Sequence, residues 1–342
     1  MEILLLIPIF VGLLTTLITL PSWIKRAKAV GISGKDMHKV NTEEMVAETG
    51  GVCVLVGFIL GILSYITIRT FYFDTFVNTM EIFSLLSVLL IIAFVGFTDD
   101  IVGWKIGLSK KLRIFFLIFA SLPILVINGG QVGIVNNILS LTYPLFFISL
   151  GIVGASSTFN FLAGYNGLEA SQGILILSAL SIVSYITAQR WLSIIGFIMI
   201  ACLSVFYLFN KHPAKTFPGD VLTYPVGALI ALISIFGHLE KIAIFFFIPY
   251  ILETILKVRG KLKKESFAKV NPDGSLELPY NKIYGLEHLA IAILKRIKPS
   301  KKVYEKDVVY LINLFQLGII ILGFIIFQVD FFSLFPTLLG IK

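Results

Sequence analysis

Ten apolar stretches divide the chain, at about 3–23, 51–68, 82–97, 112–127, 144–161, 174–188, 191–209, 221–236, 242–256 and 308–327. A helix rises about 1.5 Å per residue, so each stretch crosses all or most of a bilayer's roughly 30 Å hydrocarbon core. Long uninterrupted apolar runs favour helices over the short alternating strands of a barrel. The pattern predicts an all-α polytopic membrane protein of about ten transmembrane helices. The stretches flanking Arg190 leave open one bent helix or two spans. Between the last two stretches lies a polar insertion, 257–307. Within it, Val270-Asn-Pro-Asp-Gly-Ser-Leu276 reads as a hairpin turn between short strands. Residues 1–342 are thus expected to form one integral membrane domain, with 257–307 as a loop insertion within it.

Composition agrees. The chain is 57% hydrophobic and 14% charged, with a mean hydropathy of +0.94, too few charges to cover a soluble protein of this length. The distribution of Lys and Arg tests the count. Loops after the first, third, fifth, seventh and ninth stretches hold 5, 4, 0, 2 and 13 of them, and only Arg69, Arg190, Lys241 and Lys342 fall on the other side. Ten alternating spans satisfy the positive-inside rule, with both termini outside. The net charge of +8 is therefore a topology and lipid-contact signal, not a nucleic-acid one. Lys25, Arg26 and Lys28 follow the first apolar run, which reads as a retained span and not as a cleaved leader. Cys53 and Cys202 sit inside apolar runs and give no metal spacing.

Polar chemistry gathers on the positive side. Asp99 and Asp100 close an uncharged run, and two adjacent acids need a cation, a proton or a basic partner. The first inside loop carries Gly34-Lys-Asp-Met-His-Lys39, Glu43, Glu44 and Glu48, and the second adds Lys105, Lys111 and Arg113. The third is Asn160-Phe-Leu-Ala-Gly-Tyr-Asn-Gly-Leu-Glu-Ala-Ser-Gln172, and the fourth carries Lys211, His212, Lys215 and Phe217-Pro-Gly-Asp220. Magnesium takes oxygen ligands, and Asn160 and Asp220 are suitable donors. Lys111, Arg113 and Lys215 would neutralise phosphate, Gly164 and Gly167 would let backbone approach a ligand, and Phe217 could stack on a base. Together these suggest phosphoryl transfer on a nucleotide substrate at a membrane surface. Plainer readings stand beside them. Asp220 could cap the helix from Val221, Asn166 could be a turn residue, Phe217 interface packing and Glu48 a solvated acid. His38, His212, His238 and His288 are scattered, and none is assigned to metal. A transporter is the alternative from another class. It is disfavoured by the near absence of ionisable residues in mid-span and of an internal repeat.

Gly96-Phe-Thr-Asp-Asp-Ile101, Asn160 to Ala170, Phe217-Pro-Gly-Asp220 and Leu276-Glu-Leu-Pro-Tyr-Asn-Lys282 occur in that order. In this the chain resembles the polyprenyl-phosphate N-acetylhexosamine-1-phosphate transferases, most of all the branch acting on UDP-GlcNAc and dolichyl phosphate. The resemblance covers nearly the whole chain. It implies transfer of GlcNAc-1-phosphate to dolichyl phosphate with release of UMP, an initiating step of N-glycan lipid-linked oligosaccharide synthesis, the alternative being the same reaction with another UDP-N-acetylhexosamine. It also implies magnesium, with manganese able to substitute, on Asn160 and Asp220. Asp99 and Asp100 would lie at the transfer centre, with Glu48 near the reacting groups and Lys111 or Arg113 on the diphosphate. Phe217 would stack on uracil, Asn166 would meet its edge beside Gly167, and Lys263 and Lys264 stand where the eukaryotic enzymes carry Arg-His-Arg near the sugar. The bacterial muramyl-pentapeptide branch has aspartates where this chain has Ala163 and Asn166, which argues against that substrate. Implied partners are UDP-GlcNAc, dolichyl phosphate, the bilayer and, as an open choice, a second copy; nucleic acid is not among them. The setting is a cell membrane for an archaeal chain, or the endoplasmic reticulum for a eukaryotic one, with the active site cytoplasmic.

Overall fold

The computed structural model describes residues 2–40, 45–103, 107–131 and 138–329. Glu43, Glu44, Lys105 and Lys342 lie outside the described residues. The helices, in order, are α1 (Leu6–Ala29), α2 (Gly51–Phe71), α3 (Thr79–Val102), α4 (Lys110–Ala120), α5 (Leu122–Gln131), α6 (Ile138–Phe159) and α7 (Leu168–Ile186). They continue as α8 (Arg190–Asn210), α9 (Asp220–Phe236), α10 (Glu240–Phe246), α11 (Ile248–Arg259), α12 (Leu286–Ile297) and α13 (Glu305–Ile326). Among the described residues six of these, α1, α2, α3, α7, α8 and α13, are long and apolar enough to cross a membrane. This is fewer than the ten full spans expected from the apolar pattern. The fourth stretch is divided at Ser121 and the ninth at Phe247. Pro123 and Pro249 open the second half of each. Proline has no amide hydrogen to continue a preceding helix, but it fits a first turn. Around Arg190 the chain forms two helices, α7 and α8.

Helix α9 is the post of the bundle. Every residue from Val221 to Ser234 is buried, as fits a helix apolar on all sides. It packs against α3, α6, α2 and α7. Contact is backbone to backbone in places. A Cβ on Gly96 of α3 would lie 2.5 Å from the Asp220 carbonyl oxygen, and one on Gly227 would lie 2.5 Å from the Ala155 carbonyl oxygen of α6. In a bilayer, where lipid is as apolar as leucine, such close approach of small residues is a main source of helix association. Its consequence here is positional: the end of α3, which carries Asp99 and Asp100, is pressed against the first turn of α9.

Two small hairpins lie outside the helices. The expected one forms between β3 (Lys269–Val270) and β4 (Leu276–Glu277), closed by Asn271 N–H donating to the Ser275 carbonyl at 2.8 Å. The other, β1 (Ser33–Lys35) with β2 (Met45–Ala47), was not foreseen, because three-residue strands carry too little alternation to be read. Ala47 also bridges in parallel to Thr216.

Candidate active site

Asp99 and Asp100 are neighbours with different partners. Asp100 turns toward α9, where its carboxylate accepts the backbone N–H of Asp220 at 2.8 Å and of Val221 at 3.1 Å. It is therefore a helix cap supplied from another helix, set against the positive end of the α9 dipole. This corrects the expectation that Asp220 caps α9. Gly219 holds the cap position, in left-handed backbone at φ +72°, and a Cβ there would strike the Asp100 carboxylate. Asp99 turns the other way. Its Oδ1 accepts from Leu108 N–H at 2.5 Å, and its Oδ2 pairs with Arg113 Nη2. Repulsion between the two acids is thus met by a cation on one and a helix terminus on the other.

Arg113 links this pair to α9. Its Nη1 donates to the Tyr224 hydroxyl and stands 3.8 Å from Asp220 Oδ2. Asp220 Oδ1 accepts from Asn160 Nδ2 at 3.0 Å, and Asn160 Oδ1 accepts from the Thr223 hydroxyl at 2.9 Å. Three separate stretches, the first and last more than a hundred residues apart, therefore meet at one point. Asn160 and Asp220 each carry a side-chain oxygen, the Asn160 oxygen turned to Thr223 and its NH₂ to Asp220, and the Asp220 side chain is still 22% exposed. That chemistry fits a hard divalent cation. Tyr224 and Thr223, which fix Arg113 and Asn160, were missed in the sequence because both sit inside an apolar run.

The Phe217-Pro-Gly-Asp220 segment is laced to the residues before α2. Phe217 N–H donates to Ala47 O at 2.8 Å, while Gly50 N–H donates to Phe217 O at 2.9 Å and Gly51 N–H to Pro218 O at 3.1 Å. Glu48 lies in that lacing. Its carbonyl accepts from Trp23 Nε1 at 2.9 Å, its carboxylate lies against Gly34, and burial pushes its pKa up.

A second constellation surrounds Asn166. Its N–H donates to Glu305 Oε1 at 2.6 Å, and its side-chain amide donates to Asp36 Oδ2 at 2.8 Å. Glu305 also takes His212 Nδ1 at 2.8 Å and faces His38 Nδ1 at 3.4 Å. The two histidines that looked scattered thus converge on one buried acid. Asp36, His38 and Glu305 lie close enough together to suggest a metal site, but the protons argue otherwise. His38 Nε2 accepts from Ala268 N–H at 3.3 Å, so the ring proton of a neutral His38 sits on Nδ1, the atom facing Glu305. A protonated nitrogen is no ligand. The group is a clamp that ties the Asn160–Gly167 loop to α13 and to the first and fourth inside loops. Glu305 and Asp36 carried no sequence signal beyond lying on the positive side.

The loop itself is tight. Gly164 has φ +99°, and a Cβ there would meet Phe267 Cε1 at 2.9 Å. Gly167, at φ +87°, donates its N–H to Asn210 Oδ1 at 3.1 Å. Phe217 is half-buried. The predicted cations divide: Arg113 is at the centre, while Lys111, Lys215, Lys263 and Lys264 are exposed. Lys215 lies over the Phe209 ring, and Lys264 lies 4.7 Å from the centre of Tyr280.

Comparison with known proteins adds a lineage. The profile of glycosyl transferase family 4 matches residues 82–238. A relative from Saccharolobus solfataricus, provisionally named UDP-N-acetylglucosamine--dolichyl-phosphate N-acetylglucosaminephosphotransferase, is 34% identical over 79% of this chain and 83% of its own. The Dictyostelium discoideum protein of that name, without the qualifier, is 26% identical over 72% of this chain and 69% of its own. A phospho-N-acetylmuramoyl-pentapeptide-transferase from Streptococcus pneumoniae is 29% identical over 71% of this chain and 77% of its own.

Proposed function

The chain belongs to glycosyl transferase family 4, and on that premise we propose that it transfers GlcNAc-1-phosphate from UDP-GlcNAc to dolichyl phosphate, giving GlcNAc-diphosphodolichol and UMP. The observation that carries this reading is the meeting of Asp99, Arg113, Asn160 and Asp220 at the first turn of α9. An oxygen of dolichyl phosphate attacks the β-phosphorus of UDP-GlcNAc. The bond from that phosphorus to the bridging oxygen breaks, and its electron pair leaves on UMP.

Arg113 neutralises charge on the transferred phosphoryl group, and Asp99 holds its guanidinium in place. Asp100 fixes the first turn of α9, and with it Asp220. Magnesium, or manganese in its stead, would be held by Asn160 and Asp220 and would supply charge neutralisation on the diphosphate. Lys111 and Lys215 draw the diphosphate in from the rim. Phe217 stacks on uracil, Asn166 and Gly167 border it, Glu48 stands near the reacting groups, and Lys263 and Lys264 approach the sugar. Both oxygens of each aspartate are already engaged, which supports direct displacement over an acyl-phosphate intermediate. The phosphate needs to reach only the inner boundary, while the polyprenyl tail stays in lipid. We assign ten passes, counting α4–α5 and α10–α11 as one broken passage each, with the centre on the cytoplasmic face.

The test is UMP release by detergent-purified protein given magnesium, dolichyl phosphate and a panel of UDP-sugars. UDP-GlcNAc is expected to be the donor. Release from another UDP-sugar alone would replace the sugar assignment, and a UMP burst without acceptor would replace direct displacement.

A further inference from the structure

Two hollows adjoin each other on the α7–α8–α13 side of the bundle, sharing Tyr207 and Tyr310. The smaller, about 190 Å³, is lined by Lys211, His212 and Lys306 at the positive boundary. No acid among the described residues lies within ion-pair distance of either lysine. Glu305, next to Lys306, is buried and turned inward to His212 and Asn166. The larger hollow, about 410 Å³, continues from there along α13. Ser171 and Asn313 come first in its wall, hydrogen-bonded to each other at 2.9 Å, and Leu314, Leu317 and Leu175 lie deeper. From Lys306 to Leu317 the groove follows α13 for roughly 16 Å.

Polarity along this groove is graded: two lysines, then two phenols, then a hydroxyl and an amide, then leucines. A glycerophospholipid of the inner leaflet has the same order, with anionic phosphate, glycerol oxygens and chains. A polyprenyl phosphate has hydrocarbon directly under its phosphate and would set it against the phenols of Tyr207 and Tyr310 and the polar pair Ser171 and Asn313, where glycerol oxygens fit better. Asp99, Arg113, Asn160 and Asp220 line neither hollow, so the groove is apart from the transfer centre. We propose that it binds one anionic glycerophospholipid, whose phosphate sits between Lys211 and Lys306. Asn166 lines the mouth, so the bound lipid braces the nucleotide-side loop from behind.

Native mass spectrometry of the detergent-purified full chain, titrated with phosphatidylglycerol or phosphatidylcholine, reads the site without reference to activity. Phosphatidylglycerol is expected to be retained preferentially. The Lys211→Ala/Lys306→Ala double variant should bind it roughly thirtyfold more weakly, at about a kilocalorie per cation. Leu175→Trp, which fills the groove and keeps both lysines, should also displace it. Equal retention of the two lipids, or binding untouched by both variants, would overturn the proposal. So would displacement by dolichyl phosphate at lower concentration than by phosphatidylglycerol. If Leu175→Trp converts a dimer to a monomer while lipid retention is unchanged, the groove belongs to a second copy and the proposal fails.

Discussion

Asp100→Asn separates a structural acid from a chemical one. The Asp100 carboxylate takes two backbone N–H groups, at 2.8 and 3.1 Å, and places a negative charge at the α9 N-terminus. Asparagine keeps one accepting oxygen and turns an NH₂ toward the other donor. One hydrogen bond to a charged group is lost, worth about 1.5–3 kcal/mol. The charge–dipole term at a partly buried helix end adds about 0.3–2 kcal/mol. Together the loss is about 2–5 kcal/mol, a fall in Tm of roughly 3–7 °C for a 342-residue chain at about 1.4 °C per kcal/mol. The first turn of α9 should shift, carrying Asp220 with it, and a displacement of about 1 Å can cost roughly a hundredfold in rate. Thermal unfolding in detergent and UMP release are the paired assays, with Asp99→Asn alongside. Lost transfer at an unchanged Tm would refute the capping role and make Asp100 a chemical participant. Normal transfer and normal Tm would refute the geometry itself.

Arg113→Lys should lower kcat/KM by roughly ten- to hundredfold, because one ammonium cannot span Asp99, Tyr224 and Asp220 as a planar guanidinium does; steady-state kinetics read this, and full activity would contradict it. Glu305→Gln leaves one of the buried donors from Asn166 and His212 without an acceptor, so KM for UDP-GlcNAc should rise roughly tenfold with a smaller change in kcat; an unchanged KM would dismiss the clamp. Burial raises the Glu48 pKa, so the folded state keeps that proton to higher pH than the unfolded chain. Its contribution to stability is present below the ordinary carboxylate value and is lost as pH rises through the raised one. Glu48→Gln should flatten this part of the Tm profile as pH rises above the ordinary carboxylate range; parallel profiles would count against it.

Much of the architecture was legible in the sequence because apolar runs and basic loops obey strong physical constraints. The hairpin at 270–276 follows from a local pattern alone, whereas at Arg190 the local pattern leaves one bent helix or two spans open and only the chain-wide placement of Lys and Arg favours two. The divided fourth and ninth stretches were not read, although Pro123 and Pro249 marked them, because an apolar window averages over a proline. Asp99, Asn160 and Asp220 were visible as polar groups at run ends. Their partners were not: Tyr224 and Thr223 look like ordinary members of an apolar helix until α3 and α6 close on it. Glu305 opens a helix and looks like a routine acid of a first turn. Its role comes from contacts more than ninety residues away, with His212, Asn166 and His38. No spacing rule reaches that far.

The central claim is that Asn160 and Asp220 together hold the divalent ion at which the diphosphate is cleaved. Its most direct test is a magnesium titration of GlcNAc-diphosphodolichol formation by wild type, Asn160→Ala and Asp220→Ala, each checked for an intact fold by thermal unfolding. The account predicts a saturable magnesium requirement in wild type and loss of product in both folded variants, most severe for Asp220→Ala. Folded Asp220→Ala with near-normal turnover at the same magnesium concentration would contradict it.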